Sequence, residues 1–177
     1  MNAVTALETE RLALRQLRAS DVDAYAELCA DPEIMRYIGD GGPLSFDDAW
    51  RQLAMLIGHW ELRGFGMWAV EEKATGSFVG RVGLHYPAGW PEPEIGWVLA
   101  RRAWGRGYAH EAATAALGVA FDSLAWNRAI SLIAPDNARS IAVAERLGER
   151  LERELTLRGR HVALYAIEAS EWRRLPR

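Results

Sequence analysis

The chain has 177 residues, half of them apolar, and a formal net charge of −3 at pH 7. That length and apolar content suit one domain with a full core, and the charge, without any long basic run, argues against generic nucleic-acid binding even though twenty arginines accompany the single lysine, Lys73. Cys29 is alone, no Cys/His cluster has metal-ligand spacing, and no apolar run has signal-peptide or membrane-spanning length, so a metal-free protein of the cytoplasm is expected.

Residues 11–17 alternate Leu12, Leu14 and Leu17 with Arg11 and Arg15, which predicts a first strand. Ser20, followed by Asp21 and Asp23, predicts the N-cap of a helix with Val22, Tyr25, Ala26 and Cys29 on its apolar face. Asp31-Pro32 predicts a short helical piece through Tyr37, broken over 39–43. Ser45 predicts the cap of a longer helix with Trp50, Leu53, Ala54, Ile57 and Trp60 facing the core and Gly64 just past its end.

Residues 66–72 and 78–86 read as strands joined around Ala74-Thr75-Gly76, and a Pro/Gly-rich loop follows over 87–93. A fourth strand is expected over 94–99, then a glycine loop, then a helix from 107 to about 124 with Ala113, Leu117, Ala120 and Leu124 on one face. A fifth strand over 129–133, a helix entered through Pro135-Asp136-Asn137 and stopped by Gly148, and two strands over 152–157 and 162–167 complete the chain. The fourth strand, helix and fifth strand make a βαβ unit, so those two strands are expected to be parallel. The sum is an α/β protein of the α+β kind: a six- to seven-stranded mixed sheet with helices on both faces.

The loop between the fourth strand and its helix, Arg102-Ala103-Trp104-Gly105-Arg106-Gly107, carries the chemistry. A glycine loop at a helix start presents unpaired N–H groups and the positive end of the helix dipole to an anion. An ordinary strand-to-helix turn with two solvated arginines fits the same residues. A nucleotide P-loop needs a lysine after its second glycine, and the only lysine lies in a hairpin. Dinucleotide binding needs a third glycine, where this chain has His110, and an acid after the fifth strand, where it has Ile133-Ala134-Pro135.

The remaining pattern, R-x-x-G-x-G after a strand with Asn137-x-x-Ser140 on the helix after the next strand, resembles the Gcn5-related N-acetyltransferase (GNAT) superfamily. Thr9-Glu10-Arg11-Leu12, Asp31-Pro32-Glu33-Ile34-Met35-Arg36-Tyr37, Glu94-Ile95-Gly96-Trp97 and Trp104-Gly105-Arg106-Gly107-Tyr108-Ala109 extend that resemblance to its RimJ/RimL-like group. The resemblance implies acetyl-CoA as co-substrate, with backbone groups of Trp97, Val98 and Leu99 on the pantetheine arm where the fourth and fifth strands splay apart. It also implies that Arg102, Arg106 and the amides of Gly105, Gly107, Tyr108 and Ala109 bind the pyrophosphate, and that Asn137 and Ser140 lie beside the thioester. Asn137 equally suits a helix N-cap, and Ser140 an ordinary first-turn position. Two positions depart from the family: Ala144 stands where many members carry a tyrosine, and Glu149 follows Gly148 where an aromatic is usual.

The chemistry implied is attack of a neutral amine on a thioester through a tetrahedral intermediate. An α-amino group, pKa about 8, is roughly a tenth neutral at pH 7, and a lysine-like amine, pKa about 10.4, far less, so a base matters. Glu94, at the start of the fourth strand, is the candidate base, acting through one water; a surface carboxylate at a strand end is the other reading. The Val98 amide would meet the developing oxyanion, and Ser140 would serve the leaving thiolate. Tyr37, Trp68, His85 and Trp90 are candidates for the acceptor wall, though the same rings suit core or loop anchors. The acceptor is then a primary amine, a peptide N-terminus or a small molecule, with no membrane partner, and the resemblance allows a homodimer. A non-catalytic acyl-CoA sensor and a scaffold with an empty cleft are the other readings.

Overall fold

Short-range sequence choices set most of the elements in the computed structural model, which describes residues 3–175. Alternating leucines form β2 (Leu12–Gln16), which pairs antiparallel with β3 (Met67–Glu72), and β3 pairs with β4 (Ser77–His85) across a turn in which Gly76 has a φ of 67°. β4 pairs antiparallel with β5 (Glu94–Leu99), and β6 (Arg128–Ile133) follows in parallel. β7 (Arg150–Leu157) and β8 (Arg160–Glu168) form a hairpin whose second strand inserts beside β6. An additional three-residue strand, β1 (Ala6–Glu8), pairs with β2 at the sheet edge, so the order is β1-β2-β3-β4-β5-β6-β8-β7 and the strand count is eight, not six to seven.

The period of two in β3 divides the core. Trp68 and Val70 pack with α4 (Tyr108–Gly118), whereas Met67 and Ala69 pack with α1 (Val22–Ala30) and α3 (Phe46–Arg63) on the opposite face. Between α1 and α3, α2 (Pro32–Met35) starts where the Asp31 carboxylate accepts the Glu33 amide at 2.9 Å. α3 starts where the Ser45 hydroxyl accepts the Asp48 amide at 3.1 Å, and it stops at left-handed Gly64. α5 (Ala138–Arg146) covers the far half of the sheet with Ala144 against Ile133, Ala163 and Tyr165, and α6 (Ala169–Trp172) closes the chain.

Two local expectations change. Ser20 is not a helix cap: residues 19–21 form a 3-10 turn, and Asp21 accepts the Arg18 amide at 2.9 Å while pairing with Arg15 at 2.7 Å. The core face of α3 is Ala49, Leu53, Leu56 and Trp60 with His59, so Trp50 and Ala54 are exposed instead of buried. The spacing of apolar residues admitted two faces about a third of a turn apart, and the sheet selected the one that also buries His59. At Gly80, with φ 145°, a Cβ would lie 2.2 Å from the Val98 carbonyl oxygen, so only glycine lets β4 approach β5 this closely. No helix among the described residues is long and apolar enough to cross a membrane.

Candidate active site

β5 and β6 are joined at one register pair, Glu94 with Ile130, where the Ile130 amide donates to the Pro93 carbonyl at 3.0 Å. The next rung of a parallel ladder would link the Leu132 amide to the Ile95 carbonyl. Side chains replace it: the Ser131 hydroxyl donates to the Ile95 carbonyl at 2.9 Å, and Glu94 Oε1 lies 3.5 Å from the Leu132 nitrogen. Beyond this point the strands diverge, leaving the β6-facing backbone of Gly96, Trp97 and Val98 without a strand partner.

A cavity of about 640 Å³ opens from that divergence, lined by Trp97, Val98 and Leu99, by Gly105, Gly107, Tyr108 and Ala109, and by Asn137 and Ser140. Gly105 and Gly107 hold φ values of 71° and 79°, the left-handed turn that delivers the chain into α4. No side chain caps α4, and its first backbone bond runs from the Glu111 amide to the Gly107 carbonyl. The preceding amides at the cavity wall are therefore available to an anion, favoured by the helix dipole.

The two loop arginines point elsewhere. Arg102 donates to the Phe78 carbonyl, and Arg106 pairs with Glu72 at 2.6 Å over the Tyr108 ring, so neither lines the cavity. The arginines that do line it are Arg36, just after α2, and the α5 pair Arg139 and Arg146. Arg139 lies 4.0 Å from the centre of the Trp104 ring. Their seven-residue spacing on a helix opening at Asn137 places both on one face, a signal present in the sequence.

At the inner end of the cavity Asn137 caps α5 by accepting the Ser140 amide at 3.3 Å. The Ser140 oxygen in turn accepts the Trp97 indole N–H at 3.3 Å, which leaves the serine proton available for donation.

A second cavity, about 310 Å³, lies on the α3 side of the sheet, lined by Arg81, His85, Trp90 and Glu94 among others. Six residues line both cavities: Tyr37, Ile38, Trp97, Val98, Asn137 and Ser140. Glu94 is 9% exposed; burial pushes its pKa up to about 7, opposed by the Trp90 indole, which donates to Oε2 at 2.6 Å, and by the charge of Arg81. His85 moves the other way, to about 3, because burial and the charge of Arg81 both disfavour its cation. His85 stacks on His59 at 5.4 Å, and the Trp90 ring meets its edge at 5.0 Å. His59 accepts the Tyr86 amide at Nε2, which assigns its proton to Nδ1, 2.9 Å from the Phe65 carbonyl.

Of the aromatic candidates, Tyr37, His85 and Trp90 lie at the cavities, Tyr37 with its hydroxyl 3.3 Å from the Asp136 carbonyl. Trp68 does not. It is fully buried in the α4-side core, edge-on to Trp60 at 5.2 Å, and lines neither cavity.

Glu149 sits behind the gap, 2% exposed, with Oε1 3.0 Å from the Ser131 hydroxyl and Oε2 unpartnered. Ser131 has one proton and donates it to Ile95 when Glu149 is protonated and donates to the serine in turn. Burial, reinforced by Glu94 and opposed by the Ser131 hydrogen bond, pushes Glu149 up to about 8, so it is largely protonated at neutral pH. The folded state then binds more protons than the unfolded chain between the ordinary carboxylate range and about pH 8, so stability falls as pH rises through that window. Glu149→Gln keeps the donor and has no proton to lose. Its urea midpoint is expected to exceed the parent's above pH 8 and to match it near pH 4; equal midpoints at both would contradict the protonated assignment.

Residues 11–150 match the acetyltransferase (GNAT) domain family. The chain belongs to the GNAT acetyltransferases. This GNAT protein is 34% identical to an acetyltransferase from Agrobacterium tumefaciens whose crystal structure superimposes with a TM-score of 0.82, covering 93% of this chain and 95% of that one. It is 30% identical to the N-acetyltransferase p20 of Bacillus licheniformis over 82% of this chain and 83% of the relative. Its fold is also that of the spermidine N-acetyltransferase from Vibrio cholerae in complex with CoA and spermine, at 22% identity, a TM-score of 0.75, and coverage of 93% and 99%. The protein is accordingly an N-acetyltransferase, and its mixed sheet with one parallel pair is the GNAT fold.

Proposed function

We propose that this GNAT enzyme transfers the acetyl group of acetyl-CoA directly to a primary amine, on a peptide N-terminus or a small molecule. The observation that carries this reading is the meeting of two cavities at the β5–β6 gap, with Glu94 on one side and Ser140 at the junction. The uncapped α4 amides suit a pyrophosphate, and the unpaired β5 edge suits the amide-bearing pantetheine arm, so the residues present fit coenzyme A. The Vibrio cholerae spermidine N-acetyltransferase of the same fold, in complex with CoA and spermine, agrees with a CoA-bound donor and an amine acceptor.

In this reading Trp97 to Leu99 align the thioester, and the Val98 amide stabilises charge developing on its carbonyl oxygen. The amine nitrogen bonds to the acetyl carbon to give a tetrahedral intermediate, which collapses as the carbon–sulfur bond breaks and its electron pair leaves on sulfur. Glu94 takes the proton released by the amine, through one water. Ser140 supplies a proton toward the thiolate, modest help because a thiol of pKa about 8.5 leaves readily. Ser140→Ala is expected to lower kcat by about tenfold, below the usual 10²–10⁴-fold for a proton donor because the thiolate leaves readily. Unchanged turnover would make Ser140 a structural residue.

The reading is tested by incubating the enzyme with acetyl-CoA and a panel of amines while following free CoA with a thiol reagent and the acetylated amine by mass. A non-catalytic sensor would bind acetyl-CoA and release no CoA with any amine.

A further inference from the structure

Most arginines of this protein are neutralised at short range: Arg15 by Asp21 and Glu71, Arg101 by Asp31 and Glu33, Arg128 by Glu92, Glu152 and Glu168. Among the described residues Arg36, Arg63, Arg102, Arg146 and Arg174 form no ion pair but are exposed to solvent, whereas the α3-side cavity holds unpaired arginines against its wall. Arg81, Arg158 and Arg160 line it, and among the described residues none of the three forms an ion pair. Arg160 donates to the Gly39 carbonyl at 2.7 Å, and Arg158 lies 5.3 Å from the centre of the Trp90 ring. Arg81 is half-buried and rests against the Tyr25 hydroxyl, whose proton goes to Gln52 at 2.5 Å.

The wall offers little to offset these charges. Its carboxyls are Asp40, which is exposed, and Glu94, which burial keeps largely protonated up to about pH 7. His85 adds no charge because it stays neutral. A partly desolvated guanidinium without a counter-ion is unfavourable, and a planar carboxylate or a phosphate is the partner its donors match. A polyamine would bring further positive charge to an already cationic cleft.

Arg81 and Glu94 also share a face. In the β4–β5 register Arg81 stands opposite Val98 and His85 opposite Glu94, so the two positions are four residues apart along the strand pair. That is about 13 Å between backbones at about 3.3 Å per residue, and both side chains border the space between.

We infer that the acceptor is an amine that also bears an anionic group, a carboxylate or a phosphate, held by Arg81 while its amine reaches Glu94. The inference rests on the acetyl-transfer reading above, and it names the substrate class that reading leaves open.

The test compares matched amines that differ only in the anion: α-amino acids against their amides, phosphoethanolamine against ethanolamine, and spermine as the polycation. Each kcat/KM is corrected for the fraction of neutral amine, and the first two pairs separate a carboxylate from a phosphate preference. The acid of at least one pair is expected to exceed its neutral counterpart by tenfold or more, with spermine below both. Arg81→Met should bring that ratio to about one, and Arg81→Lys should restore part of it. Because the readout is a ratio within one protein, a loss of folded enzyme or an altered Glu94 cancels from it. A preference for spermine or for the neutral amines, or an unchanged ratio in Arg81→Met, overturns the inference while leaving acetyl transfer intact. Binding of acetyl-CoA without transfer to any amine overturns the transfer reading, and this inference with it.

Discussion

Replacing Glu94 by glutamine is expected to lower kcat/KM by about 10²–10³-fold, the lower part of the range for loss of a positioned general base. The pH profile carries the diagnosis. Glu94 acts as a base only when ionised, and burial raises its pKa to about 7, so the parent kcat/KM should climb as pH rises through about 7. Glutamine removes that step and leaves only the ionisation of the amine itself. A profile of Glu94→Gln that kept an acidic limb near 7 would assign the base elsewhere. His85, the other titratable ring at this wall, is a poor substitute: a pKa of about 3 makes it too weak a base at neutral pH.

Trp68→Ala should unfold the protein more easily instead of weakening acceptor binding. Removing a fully buried tryptophan costs about 3–5 kcal/mol, which for a chain of this size lowers Tm by about 10 °C or more. Trp68→Phe is expected to cost less, since it keeps an aromatic ring against Trp60 and removes an indole N–H that has no partner. Thermal unfolding with acceptor KM measured well below the transition checks both. A stable Trp68→Ala protein with a raised acceptor KM would return Trp68 to the acceptor wall.

Legibility in the sequence followed the range of the interaction. Asp31, Ser45 and Asn137 were readable as caps because each closes onto amides two or three residues ahead. β1 escaped notice because three residues carry no period, and its existence depends on β2 lying alongside. The directions of Arg102 and Arg106 were not legible because a long guanidinium side chain seeks the nearest acceptor. Those acceptors, Phe78 and Glu72, are brought there by the β3–β4 hairpin. Glu149 stood out in the sequence as a departure from the usual aromatic; only the fold shows it seated behind Ser131 at the strand divergence.

The sequence by itself determined the strand and helix order, the parallel pair flanking a glycine turn, and the family, because caps, glycines and hydrophobic period act over a few residues. Tertiary structure alone decided which charges are neutralised and which are not. It buried Glu94 beside Trp90, turned Trp68 into core, and left Arg81 facing a cavity without an ion-pair partner among the described residues. The physical reason is that desolvation and ion pairing depend on distances between residues far apart in the chain, and those distances exist only once the sheet has formed.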